Sequence, residues 1–121
     1  MEIARRKPEY AWRGDENNFF ESDKENYPWL RIQLNRKAIM NGLQIRNRIN
    51  CCGERLENLE VRAGTKNDNT NEIVGRFAGP GVTNAIHYVK FDKWVEANFL
   101  TFQLNKKNAI LQISEISLWA T

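Results

Sequence analysis

The stretch Trp29-Leu30-Arg31-Ile32-Gln33-Leu34 alternates: Leu30, Ile32 and Leu34 fall on one side of an extended chain, Arg31 and Gln33 on the other. A period of two marks a strand with one face in a core and one in solvent, because successive strand side chains point in opposite directions. Moving outward from this segment, the pattern recurs. Leu43 and Ile45 alternate with Gln44 and Arg46, and Leu59, Val61 and Ala63 alternate with Glu60 and Arg62. Residues 86–91, 99–104 and 109–119 read the same way, with turn signals at Asn67-Asp68-Asn69 and Gly79-Pro80-Gly81. No stretch carries a 3.6-residue period. Short strands separated by turns predict an all-β fold, an antiparallel β-sandwich of jelly-roll type rather than a parallel sheet covered by helices. Residues 13–27 are polar and weakly patterned, and read as a long loop.

With 121 residues the chain can bury one sizeable core but hardly two, so a single domain over residues 1–121 is expected. Hydrophobic residues at 41% and charged residues at 27% match ordinary globular usage and argue against disorder or a fibrous repeat. The net charge is +3, but Lys and Arg are scattered among acids. The densest basic runs, Arg5-Arg6-Lys7 and Lys106-Lys107, are too short for a polybasic arm, so nucleic acid is not an expected partner. No apolar window is long enough to span a bilayer, so no membrane insertion is expected. Met1-Glu2-Ile3-Ala4-Arg5 begins no secretory signal, which fits an intracellular protein or a mature domain behind an added Met1.

The only cysteines are adjacent, Cys51-Cys52, and the only histidine is His87. A zinc site needs about four ligands, and these three side chains fall short. Two readings stand for the pair. Reduced, it is two small buried residues at a strand end. Oxidised, it is a strained ring, because neighbouring Cα atoms lie about 3.8 Å apart across a trans peptide while disulfides prefer about 4.4–6.8 Å. Such a ring encloses almost no chain and so removes little entropy from the unfolded state. What it offers instead is a rigid, flat, polarizable patch suited to the apolar side of a small ligand.

The block Asn47-Arg48-Ile49-Asn50-Cys51-Cys52-Gly53-Glu54-Arg55-Leu56 resembles the Asn-Arg-x-Asp-Cys-Cys-x-x-Arg-Leu pattern of the F-type lectins, the fucolectin family. Pro28-Trp29-Leu30-Arg31-Ile32-Gln33-Leu34 is similar to that family's Pro-Trp-Trp-Arg-Val-Asp-Leu strand. Residues 111–119 are similar to its closing strand, and Ile3-Ala4-Arg5-Arg6-Lys7-Pro8 to its opening segment. The resemblance covers most of the chain and implies the discoidin-like jelly roll. In the family one histidine and two arginines hydrogen-bond the sugar while the cysteine pair packs on its apolar side. Arg48 and Arg55 match both arginines, and Cys51 and Cys52 match the pair, which the resemblance implies is a vicinal disulfide. A guanidinium suits this role, since it offers five donors in a rigid fork and stays charged.

Three departures change the chemistry. The family's spacing from Arg48 back to the histidine lands on Glu21, which when ionised only accepts hydrogen bonds. It can accept a hydrogen bond from a sugar hydroxyl, or pair internally with Arg48 or Arg55 and close the pocket. The usual Asp is Asn50, which can still orient an arginine through its carbonyl oxygen but without the charge-assisted bond. The third departure is a shortened stretch between Pro8 and Trp29, where the family carries a calcium loop. Asp15 and Asn17 remain there, and Glu115 lies where the closing strand usually supplies a calcium-binding Glu. Calcium takes about six to eight oxygens, so Ca2+ is a cofactor only through a degraded site.

Phe19 and Phe20 precede Glu21, and one of them is a candidate wall for a deoxysugar methyl group. Trp29 and Trp119 fall in strands and are expected to fill the core, and His87 is expected to be structural. No nucleophile beside a base, paired carboxylates on rigid elements, or Gly-rich phosphate loop stands out, so no enzyme is expected. The resemblance implies a carbohydrate-binding lectin domain for fucosylated or related glycans, secreted or extracellular; because lectins often gain avidity by assembling or repeating sites, a homo-oligomer or a larger parent protein fits that reading. The rival is a lectin-derived protein-interaction or adhesion module that has lost its sugar, if Glu21 occupies the arginines and leaves no open donors.

Overall fold

The computed structural model of the chain describes residues 2–3, 11–13 and 19–120. In chain order the strands are β1 (Glu2–Ile3), β2 (Ala11–Arg13), β3 (Phe20–Glu21), β4 (Trp29–Arg46), β5 (Leu59–Gly64), β6 (Glu72–Phe77), β7 (Ile86–Leu104), β8 (Gln112–Ile113) and β9 (Glu115–Ala120). A 3-10 turn at Gly53–Arg55 interrupts them. Among the described residues no helix is long and apolar enough to cross a membrane.

The alternations at 30–34 and 43–45 belong to one strand of 18 residues, and those at 86–91 and 99–104 to one of 19. Strands this long must bend to close a core. The pairing of β4 slips between Gln33 and Ala38 and between Met40 and Gly42. Such irregularities bend a strand and sharpen its twist. The neighbours change across the bend. Residues 29–33 of β4 pair with 99–103 of β7, β1 lies parallel along β4, and β5 then β6 continue outward from β7. Residues 40–46 of β4 pair with 86–95 of β7 and, on their other side, with β9, which carries β2. Two strands thus run through both layers of a β-sandwich. This is the expected jelly-roll architecture, with β1 beside β4 as its parallel exception.

The core lies between the layers. Leu30, Leu43, Ile45, Val61, Leu100 and Phe102 are fully buried, each contributing roughly 1.5–3 kcal/mol by leaving water. Several expectations are corrected. Residues 13–27 are not loop throughout: β3 pairs antiparallel with β8, and Glu25 bridges Ala109. Strand β6 carries no alternation in the sequence because Val61 faces Gly75 while Arg62 faces Ile73, so Val74 is an extra, buried residue that breaks the period. Trp119 does not fill the core. It lies on the outer face, 37% exposed, stacked on Tyr88 and covering Gly42, where an added Cβ would come within 2.3 Å of its ring. Trp29 is half-buried with the Arg31 guanidinium 4.6 Å from its ring centre. His87 accepts a hydrogen bond from Val82 N–H at 3.1 Å and packs on Phe77, a structural role.

Candidate binding site

The block between β4 and β5 is held from beneath before any of its exposed side chains is considered. Asn47, 1% exposed, donates through Nδ2 to the carbonyls of Gly53 at 2.8 Å and Val82 at 3.2 Å, and its Oδ1 accepts from Arg48 N–H at 2.8 Å. Gly53 N–H donates to Thr83 Oγ1 at 2.9 Å, and Asn84 N–H to the Arg48 carbonyl at 2.8 Å. Packing there is tight: a Cβ on Gly53 would lie 2.2 Å from Thr83 N. Cys52 takes a left-handed conformation, φ 67°, and starts the 3-10 turn that swings Arg55 back toward Arg48. Cys51 and Cys52 are joined by a disulfide with Cα atoms 3.7 Å apart, and both are half-buried. The oxidised reading of the pair therefore holds.

Strands β3 and β8 close the site from the other side. Across their pairing Glu21 faces Gln112. Arg48 Nη1 donates to Gln112 Oε1 at 2.8 Å, and Arg55 Nη1 donates to the same oxygen at 3.1 Å. Glu21 Oε2 lies 3.4 Å from Arg48 Nη1 and 3.5 Å from Arg55 Nη1. Arg48 Nε donates to Asn50 Oδ1 at 2.9 Å, and its guanidinium sits 4.6 Å over the Phe19 ring. Two cations thus share two oxygens, and the one carboxylate balances only one of them. Arg48 Nη2 and Arg55 Nε and Nη2 have no partner among the described residues. These donors, and Glu21 Oε1 as an acceptor, can serve a ligand.

A model of the F5/8 type C domain family matches residues 3–116. The chain belongs to that family. Among solved structures, the fucolectin from striped bass (Morone saxatilis) serum is 26% identical, with a TM-score of 0.76 over 84% of this F5/8 type C domain and 36% of that chain. The domain thus spans about a third of the fucolectin's length. A Streptococcus pneumoniae fucose binding module is 17% identical, TM-score 0.70, over 90% of this chain and 76% of that one. The family 32 CBM of Clostridium perfringens NanJ, in complex with galactose, is 15% identical, TM-score 0.71, over 88% and 79%. The last two attest the shared fold alone. No curated protein matches.

Sequence and structure differ in what they place at this F5/8 type C site. Arg48, Arg55, Glu21 and Asn50 gather as a hydrogen-bonded group. Phe20 does not join them: it is 7% exposed in the core, because the strand period turns it opposite to Glu21, and Phe19 takes the place beside Arg48. Gln112 was missed. Flanked by Leu111 and Ile113, it reads as a solvent-facing residue of an alternating strand, yet it is 2% exposed beneath the arginines. The described residues do not fit calcium: Glu115 is paired with Arg46 Nε at 3.3 Å, and no cluster of three or more acids, cysteines or histidines forms among them. Asp15 and Asn17 lie outside the described residues.

Proposed function

We propose that this F5/8 type C domain is a non-catalytic, extracellular glycan-binding module that takes fucose or a related deoxysugar between Arg48 and Arg55. The carrying observation is the convergence of both guanidiniums on Gln112 Oε1 with donors left over and a disulfide in the turn that joins them. A sugar hydroxyl donates one hydrogen bond and accepts others. Guanidinium only donates and carboxylate only accepts, so Glu21 beside the arginines offers the matching pair. Phe19 and the disulfide supply the apolar surfaces a deoxysugar needs. The fucolectin among its structural relatives supports the same sugar class.

One observation favours a second reading, a protein-interaction or adhesion module: Glu21 does pair with both arginines. That pairing leaves donors unused, so occupation of the site by Glu21 is partial. Titration of the oxidised protein with L-fucose and with fucosylated, galactosylated and sialylated glycans on an array separates the two. Saturable binding of a fucoside, competed by free fucose, is expected. A folded, oxidised protein that ignores every glycan but retains a protein partner indifferent to fucose overturns the first reading.

A further inference from the structure

We propose that Gln112 is a positioning residue for glycan recognition, the shared acceptor that keeps Arg48 and Arg55 aimed at one ligand; this rests on the glycan-binding reading of the site. Two guanidiniums repel each other, so bringing both to one place requires an acceptor between them. The group has two such acceptors. Glu21 Oε2 reaches both at 3.4 and 3.5 Å from a side chain 40% exposed, while Gln112 Oε1 reaches both at 2.8 and 3.1 Å from a residue 2% exposed. The shorter, drier contact governs, because a hydrogen bond to a charged group strengthens as water is withdrawn. Its orientation is fixed. Turning the amide would set Nε2, a donor, against guanidiniums that cannot accept.

Packing does not explain the residue. Leu111 and Ile113 on either side are fully buried, and Gln112 is nearly so. Its Nε2 is buried without a partner among the described residues. An apolar side chain would fill the space without stranding that donor, so what the amide contributes is its oxygen. Gln112 also stands on β8 opposite Glu21 on β3. The strand pairing therefore sets both acceptors at one level, and the arginines follow.

Two variants test this, Gln112→Leu, which lacks the acceptor, and Gln112→Glu, which keeps it. Without ligand, guanidinium nitrogen NMR of the wild type should give separate, slowly rotating Nη groups for Arg48 and Arg55. Gln112→Leu should average them while unfolding temperature holds, and Gln112→Glu should restore them. With an α-L-fucoside, affinity should fall about tenfold or more in Gln112→Leu and stay within about threefold in Gln112→Glu, as expected for loss of one hydrogen-bonded anchor. Ordered arginines in Gln112→Leu overturn the proposal, as does equal affinity in all three proteins. Should Gln112→Leu not fold, Gln112→Asn, which draws the oxygen back by one methylene, carries the same expectations. A wild type with ordered arginines that binds no glycan removes the glycan reading, while the ligand-free spectra still decide whether Gln112 positions them.

Discussion

Arg31 and Arg48 each hold a guanidinium 4.6 Å from the centre of an aromatic ring, Trp29 under one and Phe19 under the other. Their remaining contacts differ. Arg31 is 7% exposed and all its side-chain nitrogens are bonded: Nε to Thr101 Oγ1 at 3.2 Å, Nη1 to Asn67 Oδ1 at 3.4 Å, and Nη2 to Asn69 Oδ1. These partners are neutral. The loop that covers Arg31 is itself tied, with Asn71 donating to the Lys66 carbonyl and Asp68 accepting from Thr70. The Thr70 hydroxyl holds the Asp68 carboxyl below its ordinary range. Arg48 is instead held by its Nε and Nη1, and Nη2 has no partner among the described residues. An arginine satisfied at every nitrogen joins parts of the fold; one fixed at the base and open at the tip is poised for something else.

That contrast can be broken from either side. The largest expected effect is on stability: Arg31→Ala leaves the buried Thr101 hydroxyl without its partner, unties the covering loop and empties a nearly buried position, and should cost about 2–4 kcal/mol in chemical denaturation, with fucoside affinity unchanged. Arg48→Ala should do the reverse. It should weaken fucoside binding about 30-fold, about 2 kcal/mol, with stability within about 1 kcal/mol of wild type, as read by calorimetry and denaturation together. If Arg48→Ala unfolds the protein as readily as Arg31→Ala, the distinction fails. The smallest effect sharpens it: Asn50→Asp replaces a neutral tether on Arg48 Nε by a charged one and should tighten binding about two- to threefold, a modest gain because Asn50 is exposed.

The β-sandwich was legible because burial on one face imposes period two, and Leu30, Ile32, Leu43, Ile45, Leu59 and Val61 all point inward as that pattern required. It failed where geometry overrides period. Arg31 does face outward, but a loop from elsewhere in the chain covers it, and no local pattern announces that. At β6 the extra residue Val74 hid the strand, and at the bends of β4 and β7 two apparent strands proved to be one. In the candidate site, the residues within one short block were legible through their resemblance to the F-type lectin motif. Gln112 was not, since it joins Arg48 and Arg55 only through a strand 64 and 57 positions away, respectively.

The clamp beneath the turn has a further consequence. Asn47, Gly53, Thr83 and Gly81 interlock so closely that a methyl group on either glycine would collide with backbone or with Asn47. Glu21, Asn50 and Phe19 take no part in that interlock and sit at its rim. If the proposed glycan-binding reading holds, ligand preference can be rewritten at those three positions while the foundation stays untouched, which would make this turn a tolerant starting point for engineered specificity.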